Sequence, residues 1–518
     1  AERTACTTVL CTAKAPRTRG TSSNCSPEPM RNTEPQMQAL PMAKISERFA
    51  AQVLPLILLV ATIALYFSFI MQYALNIPFQ DGVVDFLKTM VLLDRADNFK
   101  DSASIFLAGY NDHQTTASRL LVYAVYLIQG EVNFQTLMAV ANIGLTLILL
   151  LFYLRVQREE LRWLWLLGAA LVLLNLKNYS NIFFAQSAFP YFLCYLYSFA
   201  GIYVLHKVTL TRFFLALCFC ALASFTFAAG YALWILGGAS LAHQSLVLKN
   251  RSLGYLSVWV LCACGALGLW ILSDAGALAL WSVGLGSEGV DEARIVGLAA
   301  LPNSMSGGAP LTDLLVRYVM WFFVILGSAF SHDDAAIAIG AGVLLVSALT
   351  VFSVLAVRKG DIRLELCCWF VVASAAMVTL GRAKLFLPVQ ILNSRYCVIS
   401  LLLVAAMVVL AQVGIKKRSV VGSWIVVMLA ANYSYWTYLH FLPAVEDFHD
   451  DRVVTFNHAA YPVMGYSPQY TNGIVLEAIE RGLYVPPCRP YPQCSASSGL
   501  WGTTPLRRDD SGRNGTNP

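Results

Sequence analysis

Charge is scarce in this chain. Asp, Glu, Lys and Arg make up 13% of its 518 residues, where a soluble domain carries about a quarter. With 57% hydrophobic residues, the apolar surface exceeds what a water-soluble core can enclose, and a soluble fold is excluded. Catalytic signatures are missing as well. There is no Walker-type glycine loop, no G-x-S-x-G and no H-E-x-x-H, and no polar cytoplasmic domain able to hold a nucleotide. Those absences exclude a nucleotide-driven pump, a serine hydrolase and a zinc protease. None of the thirteen cysteines has zinc or iron–sulfur spacing. Cys194, Cys218, Cys220, Cys262, Cys264, Cys367, Cys368 and Cys397 sit in or beside apolar runs, where a thiol acts as a small hydrophobe. Cys488 and Cys494, in the polar "CRPYPQC", suit a disulfide if that segment meets an oxidising compartment.

What the chain has in plenty is membrane-length apolar sequence. A crossing takes about 20 apolar residues, and windows of that kind fall near 52–71, 134–154, 161–176, 188–205, 213–230, 231–248, 253–273, 314–330, 335–357, 366–380, 396–415 and 420–440. The expected fold class is all-α, a polytopic transmembrane helical bundle of about 11–13 spans. The net charge of +6 belongs to the ends of these windows. It reports topology by the positive-inside rule and implies no nucleic-acid partner. Lys44 and Arg48 put the N-terminus in the cytoplasm, and the clusters at Arg155–Arg162, His206–Arg212, Lys249–Arg251, Arg358–Arg363 and Lys416–Arg418 mark the later cytoplasmic turns. Residues 72–133, 177–187, 381–395 and the C-terminal tail then fall outside, in a cytoplasmic (inner) membrane. Between 273 and 358 the alternation requires an odd number of crossings, yet only two windows lie there.

Four segments follow. Residues 1–41 are polar and aperiodic, lack a signal-peptide apolar region, and read as disordered or as sequence ahead of a start at Met42. Residues 42–440 form the transmembrane domain, 441–494 an external C-terminal segment, and 495–518 a disordered tail. The first external loop, 72–133, is too long for a simple turn. Its stretches "VVDFLKTMVLLDRA" (83–96) and "SRLLVYAVYLIQ" (118–129) show helical periodicity and predict helices on the membrane surface.

Polar side chains at membrane boundaries are expensive and mark cavities or partners. Asp81 and Asp85 in "QDGVVD" lie four apart, on one face of a helix. "NDHQTTASR" brings Asp112, His113 and Arg119, with Thr115, Thr116 or Ser118 suited to cap the following helix. "NYSNIFFAQSAF" brings Asn181 and Gln186. "GRAKLFLPVQILNSRY" places Arg382, Lys384, Arg395 and Tyr396 on the side where positive charge is disfavoured. Such a cluster suits a bound phosphate, or else pairing with Asp81, Asp85 or Glu131.

Together "QDGVVDF", "YNDHQTTASRL", "NIFFAQ", "FTFAAGYALWILGG" and "GRAKLFLPVQILNSRY" form an ordered set, from about Met42 to His440, similar to that of bacterial membrane glycosyltransferases of the GT-C architecture. Asp112 and Gln114 stand where that pattern has Glu and Arg, and Ala228–Ala229–Gly230 where it has a Ser-Asn-Gly-like turn. The resemblance implies sugar transfer from a polyprenyl-phosphate donor to a glycan or lipid acceptor on the external face. It implies Asp81 as catalytic base and Arg382, Lys384 and Arg395 as phosphate-binding residues. Asp85, Asp112, His113, Arg119, Asn181, Gln186 and Tyr396 would line the site. No cofactor is required, although Asp81 or Asp85 could hold a divalent cation. The alternative is a transporter or flippase of an anionic lipid or solute, against which stand the lack of an internal repeat and the one-sided placement of the polar groups. A polymerase or ligase of surface glycans would place its large loop late, not first.

Overall fold

The computed structural model describes residues 49–109, 114–246, 253–284, 311–357, 361–383, 392, 395–414, 419–457 and 466–487. Among them are helices and no strands, an all-α, multi-pass membrane architecture. The segments 1–41 and 495–518, with Asp112, His113, Lys384, Cys488 and Cys494, lie outside the described residues.

Uninterrupted apolar runs make the long helices. Helix α1 (Leu54–Tyr73) continues from a π turn at Phe49–Val53 and carries Pro55 close to that junction. In the first loop, a wide π turn (Gly82–Leu87) runs into α2 (Lys88–Asp94), followed by α3 (Phe99–Leu107) and α4 (Thr116–Gln129). Gly130 ends α4 at φ 76°, a left-handed position suited to glycine. Asn133 then caps α5 (Phe134–Val156) by accepting from the Thr136 amide at 3.0 Å.

The bundle continues with α6 (Arg162–Leu173), α7 (Cys194–Leu205), α8 (Leu210–Ser224), α9 (Ala232–Leu246), α10 (Leu253–Gly284), α11 (Leu311–Gly327), α12 (Ala335–Val357), α13 (Arg363–Arg382), α14 (Cys397–Gly414), α15 (Val420–Asn457) and α16 (Pro468–Glu480). Among the described residues, six helices are long and apolar enough to cross a membrane: Ala51–Tyr73, Phe134–Val156, Ala185–Leu205, Thr312–Phe330, Ala335–Ala356 and Arg363–Arg382. Leu210–Ser224, Leu253–Leu269 and Cys397–Ala411 are shorter apolar helices.

Several expected crossings are therefore shorter than their windows. The 161–176 window yields α6, whose 12 residues reach about 18 Å. It is enclosed by α1, α14 and α15. After it comes broken backbone at Leu176–Asn178, Tyr179–Ile182 and Ala185–Ala188, buried almost throughout. Irregular backbone at such depth persists only where protein surrounds it.

Two ends separate by charge. Arg155 and Arg363 both contact Asp361, at 3.5 and 2.9 Å, and Arg363 lies over the Tyr203 ring at 5.1 Å. These are residues of the basic clusters, collected at one end. At the other end, Lys177 Nζ donates to the Ser331 carbonyl, so the turn joining the paired helices α11 and α12 lies there. Helix α11 thus rises from the Arg155 end; residues 285–310, where the odd crossing between 273 and 358 would have to be sought, lie outside the described residues.

Helix α15 is 38 residues long, about 57 Å, nearly twice a hydrocarbon core of about 30 Å. Its far end carries Arg452, buried to 2% exposure. The Arg452 guanidinium donates to the carbonyls of Phe183 (2.6 Å) and Ile77 (2.8 Å) between the rings of Phe79 and Phe448. Helix α16 packs on the π turn and on α2. Arg481 bridges Asp94 (2.7 Å) and Glu477 (2.8 Å), the Tyr484 hydroxyl donates to the Asn76 carbonyl at 2.7 Å, and the Val132 amide to the Leu483 carbonyl at 2.8 Å. The first loop and the C-terminal segment form one cap.

Candidate functional site

The two acids of "QDGVVD" occupy different environments. Gln80 turns the chain at φ 42°, and Asp81 follows, half-buried. Gly82 admits a close approach: a Cβ there would meet Phe134 at 3.3 Å and Gln186 at 4.0 Å. Asp85 is completely buried. Its Oδ1 accepts from Arg119 Nε and Nη2, both at 2.8 Å, and from Thr115 Oγ1 at 3.0 Å. Arg119 also donates to the carbonyls of Ile105 (3.1 Å) and Ala108. Burial pushes the Asp85 carboxyl above the usual carboxylate range, against the pull of Arg119 and Thr115. Its Oδ2 is buried with no hydrogen-bond partner. Asp85 and Arg119 thus form a buried ion pair joining the π turn to α3 and α4. Asp81 lies within electrostatic reach of Asp85 and Tyr466. Lys88 sits over the Tyr470 ring at 5.6 Å, and burial lowers its pKa to about 8.

Asn181 and Gln186 are both buried. Asn181 Nδ2 donates to Asn178 Oδ1 and to the Arg395 carbonyl, both at 2.6 Å, and its Oδ1 accepts from Ser187. Asn181 thereby fixes the backbone of the late "NSRY" motif against the loop before α7.

A cavity of about 120 Å³ lies beside this junction, lined by Tyr191, Phe227, Ala228, Met377, Arg382 and Tyr396 among others. The rings of Tyr191 and Tyr396 meet edge-on at 6.2 Å. Arg382 and Arg395 both lie within electrostatic reach of Tyr191. Arg382 is half-buried, and no carboxylate pairs with it among the described residues. The expected pairing of these arginines with Asp81, Asp85 or Glu131 is not seen for Arg382.

The structure thus joins Arg382 and Tyr396 with the "FAAG" stretch around one cavity. Asp81 is not part of its lining, but its segment is adjacent. Phe86 packs edge-on against Phe189 at 5.9 Å, two residues before Tyr191. The Ala117 amide donates to the Phe225 carbonyl at 2.9 Å, two residues before Phe227. Arg119, expected to line the site, instead holds Asp85. Among the described residues, no group of three or more His, Cys, Asp or Glu could hold a metal ion.

Sequence reasoning missed Tyr191, Tyr466, Arg452 and Lys177. A lone cation between apolar windows, as in "NLKNYS", was the available signal for the last. Comparison with family models, curated proteins and solved structures returns no match to this chain.

Proposed function

We propose that the chain is a GT-C-type membrane glycosyltransferase that moves a sugar from a polyprenyl phosphate to a glycan or lipid acceptor of the cell envelope. In this reading the capped end faces outward from a cytoplasmic membrane and the N-terminus lies inside. The observation that carries it is the cavity that holds Arg382, with no carboxylate paired to it among the described residues, beside two tyrosine rings and against the segment that presents Asp81. An arginine fork suits a phosphate oxygen, and cations placed where charge develops lower the barrier to its departure.

The chemistry follows from those groups. The acceptor hydroxyl gives its proton to the Asp81 carboxylate, and its oxygen forms a bond to the anomeric carbon. The bond from that carbon to the phosphate oxygen breaks, and the electron pair leaves on the polyprenyl phosphate, whose charge Arg382 and Arg395 offset. Lys384, Asp112 and His113 belong to the same motifs and complete the set. Asp85 acts through Arg119 by fixing the turn that carries Asp81. Because phosphate is a good leaving group, one base suffices, unlike the paired carboxylates of glycosidases. The enzyme needs no bound metal in this reading.

The test is Asp81→Asn in membranes supplied with polyprenyl-phosphate sugar. Transfer should be lost while insertion and thermal stability persist; full transfer by this variant removes Asp81 as the base. A transporter or flippase remains the rival, since a cation in a bundle cavity also suits a carried anion. Movement of labelled lipid phosphate across sealed vesicles, without formation of a glycosidic bond, would favour it.

A further inference from the structure

Away from the Arg382 cavity, three elements converge on Lys177. The residue is 1% exposed, and no carboxylate pairs with it among the described residues. Its Nζ donates to the Ser331 carbonyl and to His332 Nδ1, the latter at 3.2 Å, and lies 5.9 Å from the Phe441 ring. Donation to Nδ1 leaves the proton of neutral His332 on Nε2. The His332 ring stacks on His440 at 4.4 Å and meets Trp436 tilted at 4.6 Å, with Trp436 and His440 stacked at 5.4 Å. The assembly is locked in place, since Tyr433 donates to the Ala329 carbonyl at 2.9 Å and Asn175 Nδ2 to Thr437 Oγ1 at 2.7 Å.

The face is rich in donors and poor in acceptors. Trp436 Nε1 and the His440 ring make no hydrogen bond among the described residues. Asp334 is occupied, accepting from the amides of Ala336 (2.7 Å) and Ile337 (3.2 Å). Exposed Asp333 acts on His332 only electrostatically. A buried cation without a counter-charge costs several kcal/mol, and Lys177 reflects this in a pKa lowered by burial to about 8. The flanking residues of α15 are apolar or aromatic and open to the surroundings: Tyr435 is 64% exposed, Leu439 53% and Tyr438 41%. Aromatic rings with a polar tip collect at the headgroup level of a bilayer.

We propose that the His332–Trp436–His440 face is a binding site for the phosphate headgroup of a bilayer lipid, with Lys177 as its buried counter-charge. The exposed rings supply N–H donors to the phosphate oxygens, and the outer face of α15 receives the acyl chains. The ligand is thus held as a structural lipid, at a site that shares no residue with the donor cavity.

Native mass spectrometry of the full chain in detergent tests this with dioleoylphosphatidylglycerol as probe and dioleoylglycerol as its phosphate-free counterpart. Phosphatidylglycerol should bind, and His440→Leu and Trp436→Leu should each weaken it about tenfold. Both positions are exposed, so these variants fold even if the buried Lys177→Met does not. Dioleoylglycerol should leave no adduct. Unchanged phosphatidylglycerol binding in both exposed variants, or equal binding of dioleoylglycerol, overturns the site. Inorganic phosphate should not displace the lipid; displacement at matching concentration overturns the lipid assignment in favour of a free anion. No transfer reaction enters the measurement, so its outcome is independent of the fate of the glycosyltransferase reading.

Discussion

Removing the Asp85 carboxylate should be among the most damaging changes in the cap. Asp85 is wholly buried and Arg119 is 5% exposed, so Asp85→Leu leaves a guanidinium in low dielectric with only the Ile105 and Ala108 carbonyls. Stranding a buried charge in this way costs about 3–5 kcal/mol. Asp85→Asn keeps an acceptor and should cost less, about 1.5–3 kcal/mol, the worth of hydrogen bonds to a charged group. Arg119→Met strands the acid instead, but a carboxyl already raised by burial can neutralise itself by binding a proton. With its folded pKa above the unfolded value of about 3.9, stability falls as pH rises from that value through the folded pKa. Arg119→Met should therefore be milder at pH 5 than at pH 8. The double variant Asp85→Leu/Arg119→Met should recover most of the loss, because a buried pair replaced by apolar groups is often neutral. Unfolding in mixed micelles followed by circular dichroism gives the full cycle. A loss below about 1 kcal/mol for Asp85→Leu, or additivity within about 0.5 kcal/mol, would refute a coupled buried pair.

Two further expectations come from packing and from pH. At Gly230 a Cβ would sit 2.2 Å from the Ala223 carbonyl oxygen, a backbone atom that cannot step aside, so Gly230→Ala should lower the melting temperature and collapse the Arg382 cavity, read as lost polyprenyl-phosphate binding. Binding at or above the parent level would count against that packing. Lys177 carries a folded pKa of about 8 below its unfolded value of about 10.4, so the unfolded state binds more protons between these values and stability should rise with pH there, by at most about 3 kcal/mol. Thermal melts from pH 7.5 to 10.5, compared with Lys177→Met, measure this; a slope shared by both proteins would assign it elsewhere.

Much of the bundle was legible because lipid exposure leaves a simple trace. Helices α1, α5 and α12 are unbroken apolar runs, and the sequence windows match them to within a few residues. Legibility fails where protein replaces lipid. The backbone from Asn175 to Leu193 breaks into short turns held by Asn175 and Asn181, and no periodicity announces such a path. The 420–440 window stopped where charges begin, yet α15 continues to Asn457, because acids and Arg452 suit a helix outside the bilayer. In the first loop, Gly82–Leu87 is buried under α16, a cover that no apolar stripe of membrane length could signal. At the site, residue types pointed to Asp81, Arg382 and Tyr396, whereas the burial of Asp85 depends on Arg119 arriving from 34 positions away, and a one-dimensional pattern does not carry that contact.

Helix α15 also has a mechanical consequence. Val420 and Arg452 sit on one rigid rod, about 48 Å apart. A tilt of about 5° at the Val420 end would swing Arg452 by about 4 Å, more than the 2.6 and 2.8 Å spans of its bonds to the Phe183 and Ile77 carbonyls. Either those two bonds hold the rod to smaller angles, or Pro443 takes up the bend before the strain reaches the turn at Asp81. The rod is a lever with its long throw at Arg452, so the bonds to Phe183 and Ile77 tie any tilt of α15 to the segment that leads into the Asp81 turn.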